Sequence, residues 1–189
     1  MLNQHKVVCA VGVLVSGAGS NLQALIDAGV PVVAVAANVD GAPALARGAA
    51  AGAATAVFAL ADYDGRDARD TAMADWLESH DVGLVVCAGY MQLLRPAFLS
   101  RFPDKVVNVH PALLPAFPGA HAVEDALAAG VAETGATVHL VDAGADTGRV
   151  LRQERVAIVP GDTPETLHAR IQVVEHWLLP EVVLELIAA

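Results

Sequence analysis

Three observations predict an α/β fold, a single-domain, doubly wound (Rossmann-like), mostly parallel sheet. Short valine-rich runs alternate with helix-like segments, the first run ends in a two-glycine turn that opens a helix, and no linker or internal repeat interrupts the chain. The runs at 7–15, 32–37, 54–58, 82–87 and 106–109 are short and valine-rich, as expected of strands covered on both faces. Between them, 20–28, 42–51, 66–79 and 96–101 read as helices. Ser20 is placed to cap the first, and Pro96 to open the fourth, where a missing N–H costs nothing. This β-α order requires right-handed crossovers. After a helix at 121–129, strands follow at 136–141 and 150–159. Thr163 then caps a long closing helix with Pro164 in its first turn, which Pro180 is expected to kink or restart.

Composition narrows the function. With 55% hydrophobic and 17% charged residues, the 189-residue chain has the material for one substantial core. A net charge of −10 with two lysines argues against nucleic acid and anionic membrane as partners. It leaves room for a small phosphorylated ligand, because backbone N–H groups bind phosphate without lysine. No run approaches the roughly 20 apolar residues of a membrane span, and the apolar stretch 7–15 leads at once into a helical pattern rather than a cleavage site. The expectation is a cytoplasmic protein. Cys9 and Cys87 lie in apolar runs and read as buried free thiols, and no histidine spacing suggests a metal.

In a doubly wound sheet, ligands bind beyond the carboxyl ends of the strands, which points to 16–21, 88–94, 110–119 and 142–148. The centre of interest is Asn108-Val109-His110-Pro111. Strand side chains alternate, so Asn108 and His110 share a face, and Pro111 ends the pairing beside them. An amide can donate to a developing oxyanion and an imidazole can carry a proton, which together suggest acyl-type transfer. A strand that merely ends in two polar residues is the commoner source of an isolated Asn-x-His. Gly17-Ala18-Gly19-Ser20-Asn21 suits a phosphate monoester at a helix N-terminus. It is a poor dinucleotide fingerprint, since Leu22 stands where the third glycine would be, and Asp40 is a weak candidate for a ribose acid. The segment 88–94 offers an apolar wall with one amide, and 142–148 either a structural Asx turn or the carboxylate a catalytic histidine needs. Asp62, Asp64, Arg66, Asp67, Arg69 and Asp70 read as a solvated helix face, and His5, His80 and His168 as surface residues.

Three motifs in order resemble one family. Ser16-Gly17-x-Gly19-Ser20-Asn21-Leu22-Gln23, Asn108-Val109-His110-Pro111-x-Leu113-Leu114-Pro115 and Thr137-Val138-His139-x-Val141-x-x-x-x-Asp146-x-Gly148 are similar to phosphoribosylglycinamide formyltransferases, over about residues 11–180. The resemblance implies the formyltransferase fold and formyl transfer from 10-formyltetrahydrofolate, as co-substrate and without a metal, to the glycinamide amine of a ribose 5-phosphate in purine synthesis. It makes Asn108, His110 and Asp146 the catalytic three, Gly19, Ser20, Asn21 and Glu175 the ribonucleotide contacts, and His139 a neighbour supporting the aspartate. Arg66, Met91, Gln92, Leu93, Leu94 and Asn108 correspond to folate contacts, with Val141 and Asp142 beginning the segment that closes over the pterin. Leu114-Pro115 corresponds to the family's cis peptide. The expected division is a phosphate-binding part at about 1–100 and a catalytic, folate-closing part at about 101–189.

Ala116 stands where many relatives carry lysine, Gln92 replaces an arginine, and Arg149 replaces a common proline. The chain is also expected to stop short of relatives with longer C-termini. A formyltetrahydrofolate deformylase would carry an extra N-terminal domain, and a methionyl-tRNA formyltransferase a basic C-terminal one. A catalytically dead phosphosugar-binding module would have lost one of Asn108, His110 or Asp146. The sequence leaves a homodimer open.

Overall fold

In the computed structural model, which describes residues 9–189, seven strands form one sheet in the order β3-β2-β1-β4-β5-β6-β7. His5, Val7 and Val8, assigned above to the surface and the first strand, lie outside the described residues. The strands β1 (Ala10–Val15), β2 (Val32–Ala37), β3 (Ala54–Val57), β4 (Val82–Cys87) and β5 (Val106–His110) pair parallel. Then β6 (Glu133–Leu140) joins β5 antiparallel, and β7 (Val150–Ala157) joins β6 antiparallel. The helices are α1 (Ser20–Asp27), α2 (Pro43–Ala50), α3 (Arg66–Ser79), α4 (Pro96–Leu99), α5 (Ala122–Ala128) and α6 (Pro164–Ala188).

Strand alternation divides the core in two. Val11, Val13, Val107 and Val109 face Leu22 and Leu25 of α1 and Leu167, Ile171 and Leu178 of α6. Leu14, Val85 and Val106 face Met73 and Leu77 of α3 and Phe98 of α4. Leu22 and Leu25 are fully buried, each worth about 1.5–3 kcal/mol. On β5 this alternation puts Asn108 and His110 on the α3/α4 side, with His139 and Thr137 of β6 as their cross-strand neighbours.

Four expectations are corrected. Ser20 does not cap α1: the turn requires a left-handed residue, so Gly19 (φ 76°) takes the cap position and Ser20 begins the helix. Pro180 does not restart α6, which runs on to Ala188. An interior proline costs about 3 kcal/mol. Burial of Leu178, Leu179, Val182 and Val183 beside it offsets that. Arg69 and Asp70 are not solvated but buried, at 1% and 0% exposure, with Arg69 Nε and Nη2 donating to Asp70 Oδ1 at 2.8 and 2.6 Å. Finally, β6 begins three residues early, at Glu133, because pairing with β7 rather than apolar pattern defines its start.

Candidate active site

The order of the parallel strands reverses between β1 and β4, and a cavity of about 740 Å³ opens there, beyond their carboxyl ends. Gly17, Gly19, Ser20 and Asn21 line one end, Met91, Gln92, Leu93, Leu94 and Val141 another, and Asn108 and His110 the floor between them.

The route of Asp146 to this floor differs from the simple strand-end picture. Because β6 runs antiparallel, its last residue lies level with the start of β5, where the Val141 amide donates to Val106 O at 2.8 Å. The loop then folds back along the sheet. Asp142 Oδ1 accepts from Gly144 N (3.0 Å) and Thr147 Oγ1 (2.7 Å), closing an Asx turn. Gly148 passes so close to the strand that a Cβ there would lie 1.8 Å from Leu140 O. Asp146, at φ 55°, is thereby turned onto the floor.

One carboxylate oxygen of Asp146 lies 3.4 Å from His110 Nδ1 and accepts from Gly119 N at 2.8 Å; the other lies 3.5 Å from His139 Nε2. Burial alone would raise the carboxyl's pKa. The hydrogen bonds from His139 and the Gly119 amide, with the nearby His110 and His139 charges, outweigh it and hold the group below the ordinary carboxylate value. His110 Nε2 donates to Phe117 O at 2.8 Å, so its Nδ1 is the nitrogen left to face Asp146. His139 Nδ1 donates to Leu140 O at 2.9 Å, so Nε2 faces both Asn108 Nδ2, at 3.1 Å, and the carboxylate: it accepts from the amide in the neutral ring and donates to Asp146 when the ring is protonated. The second N–H of that amide stays available to the cavity.

The loop that follows His110 is also fixed from the side of β6. Thr137 Oγ1 donates to Ala112 O (2.6 Å) and accepts from Leu114 N (3.1 Å), and the Leu114-Pro115 peptide is cis. At the opposite end, Asn21 Nδ2 donates to Glu175 Oε2 at 3.0 Å, while Asn21 Oδ1 is buried without a partner. Glu175 is 4% exposed, and desolvation raises its pKa despite the Asn21 hydrogen bond and His168.

Of the residues singled out in the sequence, Arg66 does not reach the cavity. It is exposed at the first turn of α3, where the chain must turn into the helix; the next residue, Asp67, pairs with Arg95 at 3.1 Å. Asp40 is spent on its own turn, accepting from Gly41 N. His168, read as a surface residue, is exposed but lines the cavity, as does Gln172. Both were missed, although with Glu175 they repeat at i, i+4 and i+7 on one face of α6. Among the described residues, no group of three or more His, Cys, Asp or Glu is placed to hold a metal. Nor is any helix long and apolar enough to cross a membrane.

The chain is similar to known proteins over most of its length. The family model described as formyl transferase matches residues 9–183. The phosphoribosylglycinamide formyltransferase of Mycobacterium tuberculosis is 54% identical over 172 residues, covering 88% of this chain and 80% of that one. The trifunctional purine biosynthetic protein adenosine-3 of Drosophila pseudoobscura pseudoobscura is 43% identical over 95% of this chain, which spans 14% of that larger protein. Among solved structures, glycinamide ribonucleotide transformylase 1 from Symbiobacterium toebii superposes with a TM-score of 0.93 at 41% identity, covering 97% and 89% of the two chains. A match that takes in every strand of the sheet, and relatives alike along most of both chains, place this protein: it belongs to the formyl transferase family.

Proposed function

We propose that this enzyme transfers the formyl group of 10-formyltetrahydrofolate to the amine of 5'-phosphoribosylglycinamide, in de novo purine biosynthesis, with Asn108, His110 and Asp146 as its catalytic residues. The observation that carries the reading is the convergence of these three on one cavity that has a glycine loop at one end and an apolar wall at the other. The donor's flat, partly apolar ring system suits the wall of Met91, Leu93, Leu94 and Val141, with Gln92 and the Asp142 segment at its margin. The sugar phosphate suits Gly19, Ser20 and Asn21 at the start of α1. A ribose hydroxyl would satisfy the orphaned Asn21 Oδ1, with Glu175 beside it. The labour is divided accordingly: about 1–100 supply the phosphate loop and 101–189 the catalytic three.

The donor brings a formyl carbon bonded to a ring-system nitrogen that can leave. Binding both substrates in one cavity aims the neutral glycinamide amine at that carbon, and positioning carries much of the rate. As the new C–N bond forms, negative charge grows on the formyl oxygen. The free N–H of Asn108 is the donor that meets it, and the imidazolium of His110 faces it as a positive charge. Asp146 supplies the counter-charge and orientation for a doubly protonated His110, which satisfies both Phe117 O and the carboxylate. The carboxylate also accepts the proton the amine sheds, directly or through water, and returns it to the leaving nitrogen as the old C–N bond breaks.

The test is a spectrophotometric assay with 10-formyltetrahydrofolate or 10-formyldideazafolate, with and without the ribonucleotide. Donor turnover that requires the ribonucleotide is expected. Donor hydrolysis that ignores it would overturn the reading in favour of a deformylase, and no turnover in either case would leave only binding.

A further inference from the structure

The cavity presents a charge problem for the substrate proposed above. Its lining carries the carboxylates of Glu124, Asp142, Asp146, Glu165 and Glu175, and among the described residues no lysine or arginine. A phosphate dianion entering it is attracted by the backbone N–H groups at the start of α1 and by the histidines of the lining, and a cation acting from outside the wall would add to that attraction.

Arg47, on α2, is placed to do so. Its Nε donates to the Ala18 carbonyl at 2.9 Å and its Nη1 to Gln23 Oε1 at 3.1 Å. Gln23 Nε2 passes on to Asp27 Oδ1 at 2.8 Å, so the guanidinium sits between the glycine loop and the exposed side of α1. The same helix braces the neighbouring peptides. The Ala44 amide donates to Gly17 O at 3.2 Å, and Gly19 passes so close that a Cβ there would lie 2.6 Å from that of Ala44. Three successive loop residues are thus held by α2.

A carbonyl drawn outward has a consequence for the inner surface of the loop. With Gly17 O and Ala18 O turned to α2, the following peptide N–H groups are fixed in one orientation before any ligand arrives. A donor fixed in advance costs no ordering free energy on binding. The guanidinium also polarises the Ala18–Gly19 peptide whose carbonyl it holds, making its N–H a stronger donor.

From this geometry we infer that Arg47 is the cationic positioning residue of the phosphate loop, acting through the Ala18 carbonyl from behind the site. The inference rests on the ribonucleotide reading and adds a permanent positive charge, which neither the backbone N–H groups nor the histidines of the wall supply. It does not make Arg47 a catalytic residue.

The test uses the full chain with Arg47→Gln and Arg47→Lys, and two acceptors: phosphoribosylglycinamide and its dephosphorylated riboside. For Arg47→Gln, KM for the ribonucleotide should rise about 10-fold with kcat little changed, as expected for a lost charge-assisted hydrogen bond. KM for the riboside and for the formyl donor should stay within about 2-fold, and inhibition by inorganic phosphate should weaken in parallel with the ribonucleotide effect. Arg47→Lys, which keeps the charge on a different geometry, should fall between. Equal effects on ribonucleotide and riboside would show a merely structural role and overturn the inference, as would an unchanged ribonucleotide KM in both variants. Should Arg47→Gln fail to fold, the same comparison in Arg47→Lys decides the matter. A wild-type enzyme that does not require the ribonucleotide at all would instead overturn the functional reading, and the inference with it.

Discussion

Asp146 draws on both imidazoles and on the Gly119 amide, so its charge state belongs to the site rather than to one bond. Replacing it by Asn keeps the shape and removes the counter-charge. Turnover by Asp146→Asn should fall on the order of 100-fold or more, with unchanged circular dichroism, and near-normal turnover would remove Asp146 from the mechanism. The carboxyl is held below its ordinary value, so its stabilising contribution is present above that value and lost as pH falls through the lowered one. An acid titration of stability, wild type against Asp146→Asn, should show this difference. Glu175 has the opposite sign. Burial raises its pKa, so the carboxyl costs least below the ordinary glutamate value of 4.5 and costs stability as pH rises. Glu175→Gln should therefore raise Tm at pH 7–8, lose that gain below pH 4.5, and weaken ribonucleotide binding at neutral pH, all measurable by thermal melts and KM. In the sequence, Asn108 and His110 could be paired because strand periodicity is local. Asp146 is distant in sequence: its loop was marked as a sheet-end segment able to supply a carboxylate, but the family motif alone singled out the residue, since no periodicity tells where a folded-back loop comes to rest.

At the scale of elements, the β6–β7 loop works because Gly148 passes beneath the Leu140 carbonyl. Gly148→Ala would push a methyl into that oxygen and shift the loop, so kcat should drop at least about 10-fold while every catalytic side chain is still present. Activity combined with a melt checks it: a large Tm loss without a kcat loss in the folded fraction would contradict the account. The buried pair Arg69–Asp70 supports the apolar wall in a similar indirect way, since Asp70 Oδ2 accepts from Arg95 N at 2.7 Å and so fixes the end of the 91–94 segment. Asp70→Ala should destabilise by about 3–5 kcal/mol, read by urea unfolding, because it strands a buried guanidinium. Helical spacing sets Arg69 and Asp70 on one face with Met73, Ala74 and Leu77, but their charge argued for solvent. Arg69 and Asp70 sit among charged neighbours that are solvated, and tertiary packing, with the Arg95 amide donating to Asp70, buries these two. The long parallel strands and the opening of α6 at Thr163 and Pro164 were legible, because burial on both faces and capping chemistry are written in adjacent residues.

Across the whole molecule, residues from Gly17 to Glu175 reach one cavity because the sheet reverses its strand order at its centre. The central strands β1, β4 and β5 should exchange their amides slowest, and the 142–148 loop should gain protection only with ligand bound. Hydrogen-exchange mass spectrometry would test both parts. The alternation of strands and helices made the class of fold readable, whereas the antiparallel turn of β6 depended on tertiary pairing that no single segment records. The two outer strands also bear on the protein's behaviour in a crowded solution. On one side β3 offers only four residues, and on the other β7 carries Arg152, Gln153, Glu154 and Arg155 in succession. A foreign strand seeking to extend the sheet finds too short a template at the first and a row of charges at the second. In an alanine- and valine-rich chain, borders of this kind disfavour edge-to-edge growth of the sheet into fibrils.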